Sequence, residues 1–145
     1  MTGVDRWFPD TMPVPAVNAD TAPWWQACAE HRLVVQRCTH CRATRHPPGP
    51  VCPTCRSMES DWQELSGMAT LYSYTVVRQA FLPGIDVPYV VAVVEPDDGG
   101  DDVRMVSNVV GVDPEDVHIG MALQVVWEDM GPDLALPRFV PADSR

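Results

Sequence analysis

Three features of the chain predict a mainly β protein in which an N-terminal helix and a zinc ribbon precede a five-stranded OB-fold barrel. They are two CxxC pairs ten residues apart, a capped apolar segment ahead of them, and a train of β-type segments behind. The length of 145 residues suits one ordinary domain or a small domain with an appended module. Residues 1–21 hold Trp7 and Phe8 among Pro9, Pro13 and Pro15, which neither a helix nor a central strand accepts, so they read as an extended arm. In DTAPWWQACAEHR, Asp20 or Thr21 can cap, Pro23 suits the first turn, and Trp24, Cys28 and His31 fall near one face. A helix over 22–32 is expected. LVVQR at 33–37 is a short strand leading to the first Cys pair, and RATRHPPGPV between the pairs is too rich in proline for regular structure.

β-type segments follow at 62–65, 68–78, 89–94, 104–110, 122–128 and near 138–140, separated by Pro83 and Gly84, the acidic run DDGGDD at 97–102, and Gly120. VDPEDVHIG, with Asp113 to cap and Pro114 at the first helical position, predicts one helical turn between the third and fourth main strands. That order, with a bend-permitting Gly67 before the long first strand, is the order of an OB barrel. The expected divisions are the arm at 1–21, helix and ribbon at 22–61, and barrel at 62–141 with a tail to 145. The DDGGDD run reads as a solvated hairpin loop.

Cys38, Cys41, Cys52 and Cys55 can close a tetrahedron of thiolates around zinc, or around iron as the minority occupant, with no position left for water. Such a site is structural, and the metal orders a stretch that buries little apolar surface. Arg42 and Arg56 follow the second Cys of each pair, where glycine would adopt the left-handed conformation more easily. His40 and His46 read as exposed polar residues rather than ligands, and Cys28 as a small buried hydrophobe.

The formal charge of −10 opposes general affinity for a nucleic-acid backbone. All ten basic residues are Arg, which excludes a Schiff-base lysine and a P-loop lysine. The first ten residues do not read as a secretory signal, and the longest apolar run, Tyr89 to Val94, is too short to span a bilayer, so a cytoplasmic protein without membrane contact is expected. Residues 31–56 contain Arg32, Arg37, Arg42, Arg45 and Arg56 and no carboxylate, a patch that suits a phosphate-bearing ligand or an acidic surface. No GxSxG or comparable nucleophile setting occurs, Asp116 and His118 point differently on a short turn, and Tyr72 and Tyr74 share a strand face as packing residues. Catalysis by this chain alone is not expected.

The stretches PWWQACAEHRLVVQRCTHCRATRHPPGPVCPTC, SGMATLYSYTVV, VPYVVAVVE, SNVVGVDPEDVHIGM and LPRFVPA together resemble the DUF35 family, in which a helix and a rubredoxin-like zinc ribbon precede an OB fold. The resemblance implies a non-catalytic subunit in acyl-CoA metabolism. Its partner would be a thiolase-fold, lipid-transfer-protein-like enzyme, most specifically one performing retro-aldol cleavage of a steroid side-chain CoA thioester, with a MaoC-type hydratase as a further possible companion. CoA- or partner-binding roles are expected for Arg37, Arg42 and Arg45, for the apolar loop residues Phe81 and Leu82, and for Trp7, Phe8 and Phe139 near the chain ends. The rival readings are a free-standing acyl-CoA-binding protein and a single-stranded nucleic-acid module.

Overall fold

A computed structural model describes residues 6–142. Helix α1 (Ala22–Ala29) is followed by β1 (Val34–Cys38), β2 (Thr44–Arg45) and β3 (Ser60–Glu64), which form a three-stranded antiparallel sheet in the order β2-β1-β3. The proline-rich stretch therefore does hold a strand, though only two residues of it. Then come β4 (Met68–Val77), β5 (Tyr89–Pro96), β6 (Met105–Val109), a 3-10 turn (Pro114–Asp116), β7 (Ala122–Asp129) and β8 (Ala135–Pro141). These five strands close a barrel in the order β4-β5-β6-β8-β7, with the helical turn between its third and fourth strands. No helix among the described residues is long and apolar enough to cross a membrane.

The barrel core is built by alternation. On β5, Val90, Ala92 and Val94 point inward and are buried, while Tyr89, Val91 and Val93 are half-buried on the outside. On β4 the alternation breaks. A β-bulge leaves Tyr72 as the extra residue between Leu71, opposite Val94, and Ser73, opposite Val93. Tyr72 consequently faces solvent, whereas Tyr74 packs against the core and its hydroxyl donates to the Val117 carbonyl at 3.1 Å. The two tyrosines do not share a face, because one inserted residue inverts everything beyond it. Gly67, at φ +91°, lets β4 cross β7 closely, since a Cβ there would lie 2.7 Å from Val125 Cγ1.

Helix α1 ends three residues earlier than its pattern predicts. The Arg32 N–H donates to the Ala27 carbonyl (2.9 Å) and the His31 N–H to the Cys28 carbonyl (2.8 Å), with His31 at φ 59°. This is a Schellman stop with histidine where glycine is usual. His31 is held there by the barrel: its ring stacks on Trp127 at 5.5 Å, and its Nε2 lies 2.6 Å from Asp129 Oδ1. At the other end Thr21 makes no side-chain cap; Asn18 Oδ1 instead accepts from the N–H groups of Asp20 and Thr21, each at 3.0 Å.

The acidic loop at 97–102 is not merely solvated. The Thr44 hydroxyl donates to the Gly99 carbonyl (2.6 Å), Gln63 Nε2 donates to the Asp98 carbonyl (3.1 Å), and Asp98 accepts from the Ser66 N–H (2.9 Å). The loop thus clasps the ribbon sheet to the barrel. Gly100 has φ +91°, and a methyl there would collide with Thr44 Oγ1.

Candidate metal centre

Each CxxC pair folds into the same knuckle. The Cys38 N–H donates to the Ala43 carbonyl and the Cys52 N–H to the Ser57 carbonyl, while the Arg42 and Arg56 N–H groups return to the carbonyls of Cys38 and Cys52 at 3.0 and 2.8 Å. Closing these turns places Arg42 and Arg56 at φ 71° and 67°, the left-handed region where glycine is easier. Because β1 carries the first knuckle and β3 pairs along β1 from Val34 to Cys38, the second knuckle is folded back over the first.

The four Sγ atoms lie within 4.8 Å of one another, with Cys38 to Cys55 and Cys41 to Cys52 each 3.6 Å apart. A disulfide would need ~2.05 Å. A tetrahedron with metal–sulfur bonds of ~2.3 Å has edges of about 3.8 Å, so the four thiolates fit one tetrahedral ion. Cys38 and Cys52 are buried, and Cys41 and Cys55 are partly exposed. Peptide donors prepare the sulfurs for ionisation: the Cys41 N–H points at Cys38 Sγ (3.4 Å) and holds that thiol below its usual range. The Cys55 N–H does the same for Cys52, bringing it down to about 6. At Cys55 the Ser57 N–H pulls the thiol down, but burial and the three neighbouring sulfurs outweigh it and push it up to about 11. Four sulfurs so close cannot all be thiolates without a cation between them. Cys38, Cys41, Cys52 and Cys55 form a structural metal site.

Cys28 is fully buried in the core, and burial pushes its thiol up to about 12, which leaves it inert. His40 is exposed. His46 is not: it is partly buried, its ring centroid lies 5.3 Å from that of Trp24, and burial lowers it to about 4. Its imidazole is neutral and belongs to the packing between helix and ribbon.

The expected binding residues separate. Arg37 is committed to Asp61 through two parallel bonds of 2.9 Å. Arg42 and Arg45 line a cleft of about 670 Å³ between ribbon and clasp, but Asp98, Asp101 and Asp102 line it as well, which opposes a phosphate. Phe81 and Leu82 are exposed, at 71% and 41%. Phe139 is completely buried in the barrel core, so the apolar tail serves this fold and not a partner. Trp7 and Phe8 are half-buried against their own barrel: Phe8 meets Tyr89 edge-on at 5.6 Å, and the Arg138 guanidinium lies 4.7 Å from its ring. Their N–H groups both donate to Glu128 Oε2, at 2.6 and 3.1 Å. Glu128 is fully buried, and Arg138 donates to its Oε1 at 2.7 and 2.9 Å. Sequence reasoning missed this carboxylate, which sits in the pattern VVWED as an ordinary strand-end acid; the nearby lone Arg138 was its one signal. It also missed the His31–Asp129 pair, with which no Ser, Thr or Cys hydrogen-bonds among the described residues.

The chain matches two family models, the "ChsH2, rubredoxin-like zinc ribbon domain" over residues 25–59 and the "ChsH2, C-terminal OB-fold domain" over residues 62–128. It is 32% identical to a "DUF35 domain-containing scaffold protein" of Methanocaldococcus jannaschii, with 76% of this chain and 77% of that protein aligned. The chain belongs to the DUF35 family. Two bacterial relatives are a "Probable enoyl-CoA hydratase alpha subunit" of Thermomonospora curvata, 45% identical over 90% of this chain, and the "3-oxo-4,17-pregnadiene-20-carboxyl-CoA hydratase alpha subunit" of Mycobacterium tuberculosis, 35% identical over 92%. This DUF35 chain spans 40% and 41% of their respective lengths. A solved structure of an "Ltp2-ChsH2(DUF35) aldolase" contains a chain 44% identical to this one. The match has a TM-score of 0.82 and covers 90% of this chain and 100% of that one.

Proposed function

We propose that this chain is a non-catalytic, zinc-binding accessory subunit that binds and stabilises a thiolase-fold, lipid-transfer-protein-like enzyme acting on acyl-CoA. The reaction would be retro-aldol cleavage of a steroid side-chain CoA thioester. The observation that carries this reading is the match, over 90% of this chain, to the whole of a chain in a solved DUF35 aldolase complex. The relative named for a pregnadiene-carboxyl-CoA substrate supports the steroid class. The site chemistry agrees: four thiolates saturate a metal and leave it no open position for a substrate, so the ion would cross-link the ribbon and polarise nothing. Zinc is the ion proposed, since the four-sulfur set suits a borderline-soft dication with no redox role.

In this reading cleavage of the carbon–carbon bond next to the hydroxyl-bearing carbon, and the acid and base it needs, belong to the partner. A MaoC-type hydratase is the second companion, favoured by the names of the two hydratase-subunit relatives. The free carrier reading is disfavoured by the carboxylates beside Arg42 and Arg45. The nucleic-acid reading is disfavoured by the formal charge of −10, which opposes affinity for a phosphate backbone. The test is co-expression with a thiolase-fold, lipid-transfer-protein-like enzyme, followed by native mass spectrometry and an aldol-cleavage assay on a steroid side-chain acyl-CoA. The expected result is a hetero-oligomer that alone is active. Turnover by this chain by itself, or an enzyme equally stable and active without it, would overturn the reading.

A further inference from the structure

The proposal rests on the accessory-subunit reading and concerns where the partner sits. The outer face of the barrel carries an apolar strip that nothing among the described residues covers. Val106, on β6, is 75% exposed although it is an aliphatic residue in the middle of a strand, and across the ladder it faces half-buried Val93. Beyond Val106 the strip runs into a groove of about 230 Å³ walled by Trp24, Trp25, Pro47, Leu136 and Pro137. The groove opens where the barrel wall is weakest. β6 meets β8 in register only at Val109 and Phe139, Pro137 offers no N–H, and the Ser107 hydroxyl bridges the gap by donating to the Pro137 carbonyl at 2.7 Å.

Size and charge select the occupant. A volume of 230 Å³ is below the ~300–1,000 Å³ typical of small-molecule sites, so it suits one large apolar side chain better than a steroid or a CoA arm. Among the described residues no carboxylate lines this groove, on a chain of net charge −10, and the one cation there, Arg138, is already bound to Glu128. The clefts on other faces hold carboxylates: Glu95, Asp97, Asp101 and Asp102 in one, Asp86 in a second, Glu30 in a third. The complementary surface is therefore apolar and uncharged where it enters the groove. We infer that the Val106 strip and the Trp25 groove, the uncharged cleft on an otherwise acidic chain, form the docking surface for the thiolase-fold partner, which inserts one aromatic or aliphatic anchor between Trp25 and Pro137.

The experiment compares three single variants in the co-expressed complex: Val106→Glu and Trp25→Ala on the surface, and Ile119→Glu, at an equally outward position that is 65% exposed elsewhere. Circular dichroism and metal content of each isolated variant report folding. Dissociation constants from biolayer interferometry with the purified partner report docking. Val106→Glu is expected to weaken binding at least 100-fold with fold and metal unchanged, Trp25→Ala at least 10-fold, and Ile119→Glu less than 3-fold. Wild-type affinity in a folded Val106→Glu chain would overturn the docking surface while leaving the accessory reading intact. No binding by the wild-type chain would instead overturn the accessory reading. A wild-type dimer in sedimentation that Val106→Glu turns into a monomer, with partner binding unaffected, would assign the strip to a second copy and also overturn the proposal.

Discussion

Glu128 is a carboxylate without access to solvent, and each of its oxygens has a separate task. Oε1 neutralises Arg138; Oε2 collects the N–H groups of Trp7 and Phe8 and so moors the arm. Breaking a buried pair on one side leaves an uncompensated charge, at a cost of about 3–5 kcal/mol. Glu128→Gln should lower stability by that order in urea unfolding and should speed amide exchange at Trp7 and Phe8. Unchanged exchange there would mean that the arm is held by Phe8 packing alone. His46 makes a pH-dependent counterpart. Its folded-state value is depressed to about 4 from an ordinary 6.5, so between these values the unfolded chain binds a proton that the folded chain refuses. Stability therefore falls as pH drops through 6.5 and levels off below 4, by about 3 kcal/mol in all. His46→Asn should flatten that part of the stability profile relative to wild type, measured by urea midpoints at pH 7 and pH 4.5.

At the scale of elements, two contacts outside the shared apolar core fasten the small sheet and its helix to the barrel. One is the αL stop of α1, where His31 stacks on Trp127 and meets Asp129; the other is the clasp at 97–102. Composition announced neither. A histidine following Ala-Glu carries no helix-stop signal, and the acidic run looked like a solvated turn because its anchoring groups, Thr44 and Gln63, lie more than thirty residues away in sequence. Gly100→Ala should loosen the clasp, since both the positive φ and the approach to Thr44 forbid a Cβ, at a cost of about 1–3 kcal/mol. Exchange at β2 and β3 should rise while the barrel strands stay protected; uniform protection would show that the clasp bears no load.

For the whole molecule, the knuckles and the barrel draw their stability from different sources. Barrel, helix and ribbon sheet share one apolar core that runs from Cys28 and Val35 to Leu71, Val94, Leu123 and Phe139, whereas the two knuckles bury chiefly cysteine. Structural zinc in such sites supplies about 10–16 kcal/mol of apparent binding energy. Chelation at pH 7 should thus release one ion per chain, counted by plasma mass spectrometry, and unfold the knuckles first. Cys38→Ser with Cys41→Ser should abolish metal uptake and partner assembly. A chelated chain with fully protected knuckle amides would contradict a metal-organised ribbon.

The metal centre was legible in the primary structure because ligand chemistry is local: CxxC spacing and a short connection bring four sulfurs together by geometry that few folds alter. The order of strands and the turn at Asp113 were legible too, since alternation and capping act over a few residues. Tertiary structure alone decided which side chains remained available. It inverted Tyr72 through a single bulge, sealed Phe139 in the core, tied Arg37 to Asp61, folded Trp7 and Phe8 onto Glu128, and left Val106 bare. Exposure is a property of the packed whole, settled by groups distant along the chain, and no local pattern of residues encodes it.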